Sequence, residues 1–509
     1  MPAAPIRTVR RLLVAAALLL PLAGCGSSDA GVLTLAFVDS GGEEAGAAAG
    51  DEPLRDLRQS SAAAAIRAAT ETGLVTLNAG GEVVPALADR WIVTEDGLSF
   101  IFRLRDGRWP DGTALTAESV RRQLRVALRR QDGTALALDL APVDEIRAMA
   151  GRVVEIRLAA PMPNLLQLLA QPELALARPD GGVEGGGTGD MLLAQQGRAA
   201  VLTMKPPSDR DLPEDPDWTE GVRPLVLSAS PAAAALAGFE DGSIDMVLGA
   251  GIGEWPLADT GPLSRATVRL DPVWGLFGLR VQRETGLLAS DNGRETVALA
   301  IDRPGLIAPL GIGGWTPTNR MVAPDLPGDP GLVGERWADI AIEQRRAAAA
   351  LRVARWSAAN GGQQPRLILA IGRSAGLDRL FDTLSGQFRA VGIALERVAP
   401  GQPADLVLVD RVARYAAPEW FLHQFDCSLR GTGLCVSAAD TLTAEAMRTA
   451  DPAARARLLA QAEGVLAQAN IYIPFGQPIR WSQVRSNIDG FQPNPWAFHP
   501  LPPLAQIAR

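Results

Sequence analysis

The sequence predicts an α/β protein with more than one domain. The chain has 509 residues, of which 47% are hydrophobic, and this is enough for two or three packed cores. In the second half, short apolar runs at 367–371, 393–398 and 405–409 are typical of buried strands. Between the first two runs, apolar side chains recur at helical spacing: Leu377, Leu380, Phe381, Leu384 and Phe388. Strands that alternate with an amphipathic helix indicate an α/β fold.

The N-terminus predicts an export signal and a lipid anchor. A basic start precedes an apolar run at 12–22, which is about half the length that spans a bilayer. The next residues, Leu22-Ala23-Gly24-Cys25, resemble the bacterial lipobox. The resemblance implies cleavage before Cys25 and attachment of diacylglycerol to its sulfur. We therefore expect a signal peptide at 1–24, followed by the lipidated cysteine and its linker at 25–30.

The first half of the mature chain predicts several short elements. Residues 32–38 form an apolar run of the buried-strand type. The segment 99–105 alternates between apolar and polar residues, and 153–158 alternates in the same way. Thr116 precedes apolar residues spaced by four positions, so we expect it to cap a helix. Another short helix is expected around 165–169.

Two later segments show opposite patterns. Residues 178–224 are rich in Gly, Pro and Asp with little periodicity, and they predict a crossover with surface loops. Asp451 and Pro452 predict the start of a long amphipathic helix, because Asp can cap a helix and Pro suits its first turn. Its inward face would carry Leu458, Leu459, Ala462, Val465 and Leu466.

The composition excludes several classes of function. The chain carries 49 basic and 57 acidic residues, and Lys205 is its single lysine. No run of arginine forms the dense basic surface that nucleic acids require, so we expect no nucleic-acid partner. No Gly-rich turn precedes Lys205, which excludes a P-loop. Because His423 and His499 are the two histidines, zinc motifs are absent, and we expect no metal and no cofactor.

The cysteines predict a disulfide. Cys427 and Cys435 remain as a pair once Cys25 is lipidated, and a close pair in an exported protein is typical of a disulfide. Closing this short loop would stabilise the fold by roughly 2–3 kcal/mol, because the unfolded chain loses entropy. Two free thiols are the alternative.

A series of motifs resembles one protein family. The first block includes Val84-Pro85-Ala86-Leu87-Ala88-Asp89-Arg90-Trp91 and Trp109-Pro110-Asp111-Gly112-Thr113. Later blocks follow in order: Gly242-Ser243-Ile244-Asp245, Ala298-Leu299-Ala300-Ile301-Asp302-Arg303, Ala404-Asp405-Leu406-Val407-Leu408, Ile473-Pro474-Phe475 and Ile488-Asp489-Gly490-Phe491. Together they resemble solute-binding protein family 5 of the ABC importers, the family of oligopeptide-, dipeptide- and nickel-binding proteins. The resemblance covers nearly all of the mature chain.

The resemblance implies a two-lobe periplasmic binding protein fold of type II, in the large form with an extra subdomain. Two α/β lobes joined by a hinge would enclose the ligand, and a smaller subdomain would be inserted in the first lobe. The expected division is lobe I at 31–56, 178–268 and 485–509, the inserted subdomain at 57–177, and lobe II at 269–484.

The resemblance also implies a role in transport. We expect a monomeric substrate-binding lipoprotein in the periplasm, tethered by its lipid to the inner or the outer membrane. It would deliver a small peptide-like or other organic solute to an ABC permease and its ATPase. A sensor or structural lipoprotein that kept the fold without transport is the alternative. An esterase that uses His423 or His499 is a third hypothesis, but the sequence shows no nucleophile elbow.

The expected ligand-binding residues depend on a departure from the family pattern. In peptide-binding members, an acidic residue pairs with the α-ammonium of the peptide, whereas this chain reads Arg414-Tyr415-Ala416-Ala417-Pro418. An arginine repels an ammonium and can bind an oxyanion through its fork, so we expect Arg414 to contact an acidic ligand. The alternative is that Arg414 pairs with a surface acid such as Glu419. The expected ligand-binding set is Arg414, Tyr415, Trp420, Trp274, Trp315 and Asp39.

Overall fold

The structure is a computed structural model, and it describes residues 31–38, 62–176, 187–196, 199–258, 267–429, 431 and 433–507. The strands are β1 (Leu33–Val38), β2 (Val75–Leu77), β3 (Val83–Pro85), β4 (Ala88–Val93), β5 (Ser99–Leu104), β6 (Val143–Met149), β7 (Val153–Leu158), β8 (Met191–Gln196), β9 (Ala199–Met204), β10 (Leu225–Ser230), β11 (Met246–Gly251), β12 (Val268–Leu270), β13 (Gly275–Val281), β14 (Arg366–Ala370), β15 (Ala394–Val398), β16 (Leu406–Val412), β17 (Tyr472–Gly476) and β18 (Arg480–Val484).

The α-helices are α1 (Ala62–Thr70), α2 (Ala117–Arg129), α3 (Ala135–Asp139), α4 (Leu165–Leu169), α5 (Ala232–Asp241), α6 (Asp291–Ala300), α7 (Arg303–Ile307), α8 (Ile342–Ala359), α9 (Ala375–Ala390), α10 (Pro418–His423), α11 (Ser437–Arg448), α12 (Pro452–Ala469) and α13 (Leu501–Leu504).

A seven-stranded sheet forms the first α/β unit, which we call lobe I. Its strand order is β12-β18-β11-β1-β10-β9-β8. β1 lies parallel to both β10 and β11, so the carboxyl ends of these three strands lie at one edge. The apolar run predicted at 32–38 becomes this central strand, and most of its side chains are buried because both faces of the sheet are covered.

A five-stranded sheet forms the second α/β unit, which we call lobe II. Its strand order is β15-β14-β16-β13-β17. β14 pairs parallel with β15 and β16, whereas β13 pairs antiparallel with β16 and β17. The strands and the helix predicted in this region are β14, β15, β16 and α9. Leu380, Leu384 and Phe388 of α9 are fully buried against the sheet, which confirms the predicted apolar face.

A third unit, the inserted subdomain, lies between β1 and β8 in the chain and contains a four-stranded antiparallel sheet in the order β4-β5-β7-β6. The two alternating strands of the prediction, β5 and β7, are neighbours in this sheet. Thr116 caps α2 as expected. Its side chain accepts a hydrogen bond from the Ser119 backbone N–H, and the Ser119 hydroxyl accepts one from the Thr116 backbone N–H.

Two expectations differ from the structure. Residues 191–196 and 199–204 form the antiparallel pair β8 and β9 at the edge of lobe I, although loops are predicted throughout 178–224. The sequence pattern does not reveal this pair, because each strand has six residues and the surrounding segment is rich in Gly and Pro. Strand β18 pairs with β11 and β12 of lobe I, although the expected boundary after residue 484 assigns it to lobe II. The chain therefore returns to lobe I before that boundary.

One apolar core joins the inserted subdomain to lobe II. Phe102 and Leu124 of the subdomain belong to the same buried cluster as Phe421 of α10 and Leu459 of α12. One face of the lobe I sheet packs against α1 and α13, whereas residues of its other face, such as Val38 and Ala250, belong to a buried cluster with Leu380 and Phe475 of lobe II. The subdomain is thus inserted in the chain of lobe I but shares its core with lobe II.

No helix in the described part of the chain combines the length and the apolar character that a membrane span needs. The expected signal peptide, the lipobox and Cys25 lie outside the described residues.

Candidate functional site

The candidate site is a cavity between the two lobes. The chain crosses from lobe I to lobe II between β12 and β13, and it returns between β17 and β18. A cavity of about 170 Å³ lies beside these crossings. Phe37, Leu248 and Ala250 line it from β1 and β11 of lobe I, and Val412 lines it from the end of β16 in lobe II. Binding sites favour the carboxyl ends of parallel strands and the interfaces between domains.

The charged side chains of this cavity are paired. Asp271 accepts a hydrogen bond from the backbone N–H of Asn494, and its second carboxylate oxygen lies 3.3 Å from Nε2 of His499. Arg480 forms an ion pair with Asp410, with 2.8 Å between Nη1 and Oδ1. Because Arg480 begins β18 and Asp410 lies on β16, this pair connects the two lobes. The Asp271 carboxylate and the Arg480 guanidinium therefore both have partners within the protein.

The Ser482 hydroxyl in the cavity has no protein partner in the described part of the chain. Ser482 is 1% exposed, and its Oγ makes no hydrogen bond there. The residue is one of those that line the cavity. An unsatisfied buried hydroxyl costs roughly 1–3 kcal/mol, so such groups in native proteins usually bond to protein, water or ligand. Ser482 is therefore a group that a ligand bound in this cavity could satisfy.

Aromatic rings form the apolar walls of the cavity. Phe37, Trp481 and Phe498 line it. Trp481 packs edge-on against Trp255, with 5.9 Å between the ring centroids, and its Nε1 donates to the carbonyl oxygen of Gly251 at 2.9 Å. These contacts fix the orientation of the indole, so the cavity has a rigid wall on this side.

Two of the predicted tryptophans lie beside the lobe crossings but do not line the cavity. Trp274 is half-buried and packs against Trp496, with 6.1 Å between the ring centroids. Trp315 donates through Nε1 to the carbonyl oxygen of Gln477 at 2.8 Å, so its polar atom is already used. Both side chains support the segments that connect the lobes.

Arg414 is not among the residues that line the cavity, and its guanidinium is already paired. Its Nη2 lies 2.6 Å from Oε1 of Glu173, and its Nη1 donates to Oε1 of Gln171 at 3.4 Å. Glu419, the surface acid named as the alternative partner, pairs instead with Arg455 and is buried. The prediction of an oxyanion on Arg414 therefore loses its support, because a carboxylate of the inserted subdomain occupies the fork.

Tyr415 and Trp420 also differ from their predicted roles. Tyr415 is 1% exposed, and its hydroxyl donates to Oδ1 of Asp139 at 2.8 Å. The same oxygen lies 2.7 Å from Nδ1 of His423. Burial raises the pKa of Asp139, and the hydrogen bonds from His423 and Tyr415 oppose that rise. Trp420 is buried against Phe421 in the shared core. Tyr415 therefore joins the segment before α10 to the subdomain, and Trp420 packs in the core that lobe II and the subdomain share.

Both histidines pair with carboxylates, an arrangement that the sequence does not reveal. His423 contacts Asp139, whereas His499 contacts Asp271 and Asn494. These contacts are typical of buried structural pairs, since a catalytic base also contacts the nucleophile that it activates. Within the described ranges, no cluster of three or more His, Cys, Asp and Glu side chains could hold a metal ion.

The structure brings Cys427 and Cys435 together, with 2.15 Å between the sulfur atoms and 5.2 Å between the Cα atoms. Their oxidation in the protein stays a prediction, which mass spectrometry of unreduced digests checks. Asp39, the remaining residue of the predicted ligand-binding set, lies outside the described residues.

Sequence reasoning missed the residues that line the cavity. These residues include four with polar or charged side chains and one tryptophan: Asp271, Arg480, Ser482, His499 and Trp481. The expected lobe boundary after residue 484 could have indicated these residues. The run 480–484 lies directly before that boundary and follows the motif Ile473-Pro474-Phe475. A strand that adjoins a lobe boundary is a candidate for the hinge and hence for the site between the lobes.

Residues 82–211 match the model of the bacterial extracellular solute-binding proteins, family 5 Middle. The probable deoxycholate-binding periplasmic protein YgiS of Escherichia coli K12 is 31% identical over 120 residues, which cover 20% of this chain and 22% of that protein. A putative ABC transporter peptide-binding protein of Brucella ovis is 28% identical over 99 residues, which cover 19% of each protein. The chain thus matches about a fifth of the length of these relatives.

Solved structures resemble this chain over almost its whole length. Haemophilus influenzae OppA in complex with the peptide RPPGFSPFR has a TM-score of 0.76 at 16% identity, and the alignment covers 94% of this chain and 99% of OppA. The Escherichia coli murein tripeptide binding protein MppA has a TM-score of 0.75 at 18% identity, with the same coverage of 94% and 99%. The PBP AgaA of A. tumefaciens R10, in complex with agropinic acid, has a TM-score of 0.69 at 16% identity, and the alignment covers 92% and 96% of the two chains.

These neighbours share the two-lobe periplasmic binding protein fold, which confirms the predicted fold class. Two α/β sheets joined by two crossings, a cavity between them and the match at 82–211 confirm the resemblance of this chain to solute-binding protein family 5.

Proposed function

We propose that this chain is the substrate-binding lipoprotein of an ABC importer, which captures a small organic solute between its lobes and delivers it to a membrane permease. The observation that carries this proposal is the cavity lined by Phe37 and Ala250 of lobe I together with Val412 of lobe II. A site divided between two lobes gains all of its contacts only when the lobes close, so closure reports the bound state to a partner. The match to a family of extracellular solute-binding proteins supports the same role.

The cavity favours a solute smaller than an oligopeptide, with apolar surface and a hydrogen-bonding group. Its volume is about 170 Å³, its walls include three aromatic rings, and the Ser482 hydroxyl is free to bond a ligand. Arg414 stands where the peptide-binding pattern has an acid for the α-ammonium, and its charge is neutralised by Glu173. Among the similar proteins, OppA binds the peptide RPPGFSPFR, AgaA binds agropinic acid, and YgiS is a probable deoxycholate-binding protein.

Closure around the native solute is the first test. Native mass spectrometry of protein purified from its own periplasm identifies the bound solute. Small-angle scattering should then show a smaller radius of gyration when the purified protein is saturated with that solute, because the lobes close around it. An unchanged radius at saturation would contradict the importer proposal and favour a sensor or structural lipoprotein with the same fold.

Substitution of Ser482 tests the location of the site. Ser482→Ala should weaken solute binding by roughly 3- to 10-fold, because one hydrogen bond to the ligand is lost. Folding stability should not fall, because the hydroxyl has no protein partner to lose. Ser228→Ala is the matched control, since that serine lies in the same sheet and donates to the carbonyl oxygen of Leu35 at 3.4 Å. Equal affinity of wild type and Ser482→Ala would place the solute elsewhere.

Acylation of Cys25 tests the lipoprotein part of the proposal. Cells fed labelled palmitate should incorporate the label into wild type and not into Cys25→Ala, because the thioether sulfur is missing. Cys427→Ala serves as the control and should keep the label. Label retained by Cys25→Ala would show that the lipid is attached at another residue, and an unlabelled wild type would show that the anchor is absent.

A further inference from the structure

A second, smaller cavity lies within lobe II, and two arginines, Arg303 and Arg336, are among the residues that line it. Its volume is about 10 Å³, and it shares no lining residue with the cavity between the lobes. Such a volume holds about one water-sized particle. Arg303, the first residue of α7, is 5% exposed, and Tyr472, the first residue of β17, is 3% exposed. Both residues are among those that line the cavity.

The Arg303 guanidinium is held in place but only partly satisfied. Its Nε donates to the carbonyl oxygen of Pro474 at 2.7 Å, which holds the group against β17. Its Nη1 and Nη2 have no hydrogen-bond partner within the described ranges, and the same is true of the Tyr472 hydroxyl. Burial, together with the nearby Arg345, lowers the pKa of Arg303 to about 9. The guanidinium therefore remains charged at neutral pH.

The other cation at this cavity is already neutralised. Arg336 donates through Nη1 to the side-chain oxygen of Asn470 at 2.8 Å. Its Nη2 forms an ion pair with Glu295 at 2.9 Å. In the described part of the chain, neither Asn470 nor Glu295 forms a hydrogen bond or an ion pair with Arg303.

The nearest acid does not reach Arg303 either. Glu335 contributes to the electrostatic environment of Arg303, but its two oxygens accept hydrogen bonds from the Thr318 hydroxyl and from the backbone N–H of Asn319. In the part of the chain that the structure describes, no carboxylate forms an ion pair with Arg303. A buried charge without a partner destabilises the fold, so a bound anion would stabilise the Arg303 guanidinium.

We propose that this cavity binds one monovalent anion of halide size, chloride in a cellular setting, between the Arg303 guanidinium and the Tyr472 hydroxyl. The unsatisfied groups of Arg303 are donors only, and the hydroxyl can donate as well, so the occupant must accept several hydrogen bonds. A water molecule would meet the donors and leave the charge uncompensated. Sulfate, phosphate and carboxylate groups are too large for the volume.

The anion would connect α7 to β17 in the part of lobe II that leads to the return crossing. Because it binds the folded and not the unfolded chain, it should raise stability in proportion to its occupancy.

Crystals grown in sodium bromide provide the direct test. Anomalous scattering at the bromine absorption edge should show one peak within contact distance of Nη1 or Nη2 of Arg303 and of Oη of Tyr472. A cavity that contains only water at high bromide concentration would overturn the proposal. So would a cavity with no density.

Thermal unfolding provides the test in solution. At constant ionic strength, replacing gluconate by chloride should raise the unfolding midpoint of wild type by roughly 1–3 °C, because the anion binds only the folded state. Arg303→Met should lose this chloride dependence. Tyr472→Phe keeps the cation and the packing, so it should fold and bind chloride roughly 3- to 10-fold more weakly.

Tyr415→Phe is the matched control, because Tyr415 is equally buried and its hydroxyl bonds to Asp139 instead. This variant should keep the full chloride dependence whatever its absolute stability. Chloride dependence retained unchanged in Tyr472→Phe, or absent in wild type, would overturn the proposal even if Arg303→Met fails to fold.

Discussion

Arg414 and Glu173 are separated by 241 positions in the chain, yet their side chains lie 2.6 Å apart. Their side chains are 35% and 31% exposed, so solvent screens the attraction between them. Pairs of this kind contribute about 0–1 kcal/mol. An arginine that suggests an anionic ligand when only the sequence is considered can thus be paired with a carboxylate that is distant in the chain.

The first prediction concerns Arg414→Ala. We expect the free energy of unfolding to fall by about 0.5–1 kcal/mol, because the variant loses one partly exposed ion pair. Solute affinity should stay within twofold of wild type, because Arg414 does not line the cavity. Urea denaturation and isothermal titration calorimetry measure the two quantities. A tenfold loss of affinity would restore Arg414 as a ligand-binding residue.

The second prediction concerns the pH dependence that Asp440 produces. Asp440 accepts a hydrogen bond from the backbone N–H of Cys427. Burial raises its pKa to about 6, and the charge of Asp426 acts in the same direction. The folded state therefore prefers the protonated carboxyl, and its stability declines as pH rises from about 4 through about 6.

Asp440→Asn mimics the protonated carboxyl at every pH. It should stabilise the protein by up to about 1 kcal/mol at pH 7.5, since partial exposure reduces the effect, and change little at pH 4. Urea denaturation at the two pH values measures the difference. An equal effect at both would show that Asp440 titrates normally.

At the scale of elements, α12 carries a buried charge on its inward face. Glu463 is surrounded by apolar residues of α12, and its Oε2 lies 2.9 Å from Nη2 of Arg320. Arg320 also pairs with Asp329 at 2.7 Å, and Glu463 accepts from the backbone N–H of Val322. These contacts fasten the irregular segment 318–329 to the helix.

The third prediction is that Glu463→Ala lowers the free energy of unfolding by about 3–5 kcal/mol, because it leaves Arg320 with less compensation in a buried position. Chemical denaturation measures the change. Glu118→Ala is the control, since Glu118 pairs with Arg121 at an exposed helix surface and its loss should change stability far less. Equal losses for both variants would show that burial does not strengthen the Glu463 pair.

Elements with a strong local period were predictable, and long-range partners were not. β5, β7, α9 and α12 were found because burial on one face imposes a period on the sequence itself. Asp451 caps α12 as predicted, and its side chain accepts from the backbone N–H of Ala454 at 2.7 Å. In contrast, β18 looks like any short strand, and only its pairing assigns it to lobe I. The cavity was missed for the same reason, because Asp271, Ser482 and His499 meet through tertiary contacts rather than through a motif.

At the scale of the whole molecule, the inserted subdomain is attached to both lobes. It continues the chain of lobe I, but its apolar core is shared with α10 and α12 of lobe II. The Asp139 carboxylate, with Tyr415 and His423 around it, lies at this shared boundary. A hinge motion that carries lobe II away from the subdomain would break these contacts.

The fourth prediction follows from that boundary. Tyr415→Phe should weaken solute binding by roughly 3- to 10-fold, although Tyr415 does not line the cavity, because the lost hydrogen bond stabilises only the closed arrangement. The radius of gyration of the ligand-free variant should increase. Calorimetry and small-angle scattering measure these effects.

Trp109→Phe is the control, since it removes a hydrogen bond to Ser119 that lies within the subdomain. That variant should lose stability without a change in affinity. If Tyr415→Phe behaves like Trp109→Phe, the subdomain moves together with lobe II.

The position of β18 has a consequence for the order in which the protein can fold. β18 lies between β11 and β12, and the edge strand β12 joins the sheet only through β18. Because synthesis starts at the N-terminus, β1, β10 and β11 are made long before β18, the strand that pairs with the open edge of β11. Until residues 480–484 arrive, that edge can pair with another chain, and unpaired edges promote aggregation. The lobe that begins before lobe II is thus completed after it, and the protection of its sheet edge during synthesis depends on residues 480–484.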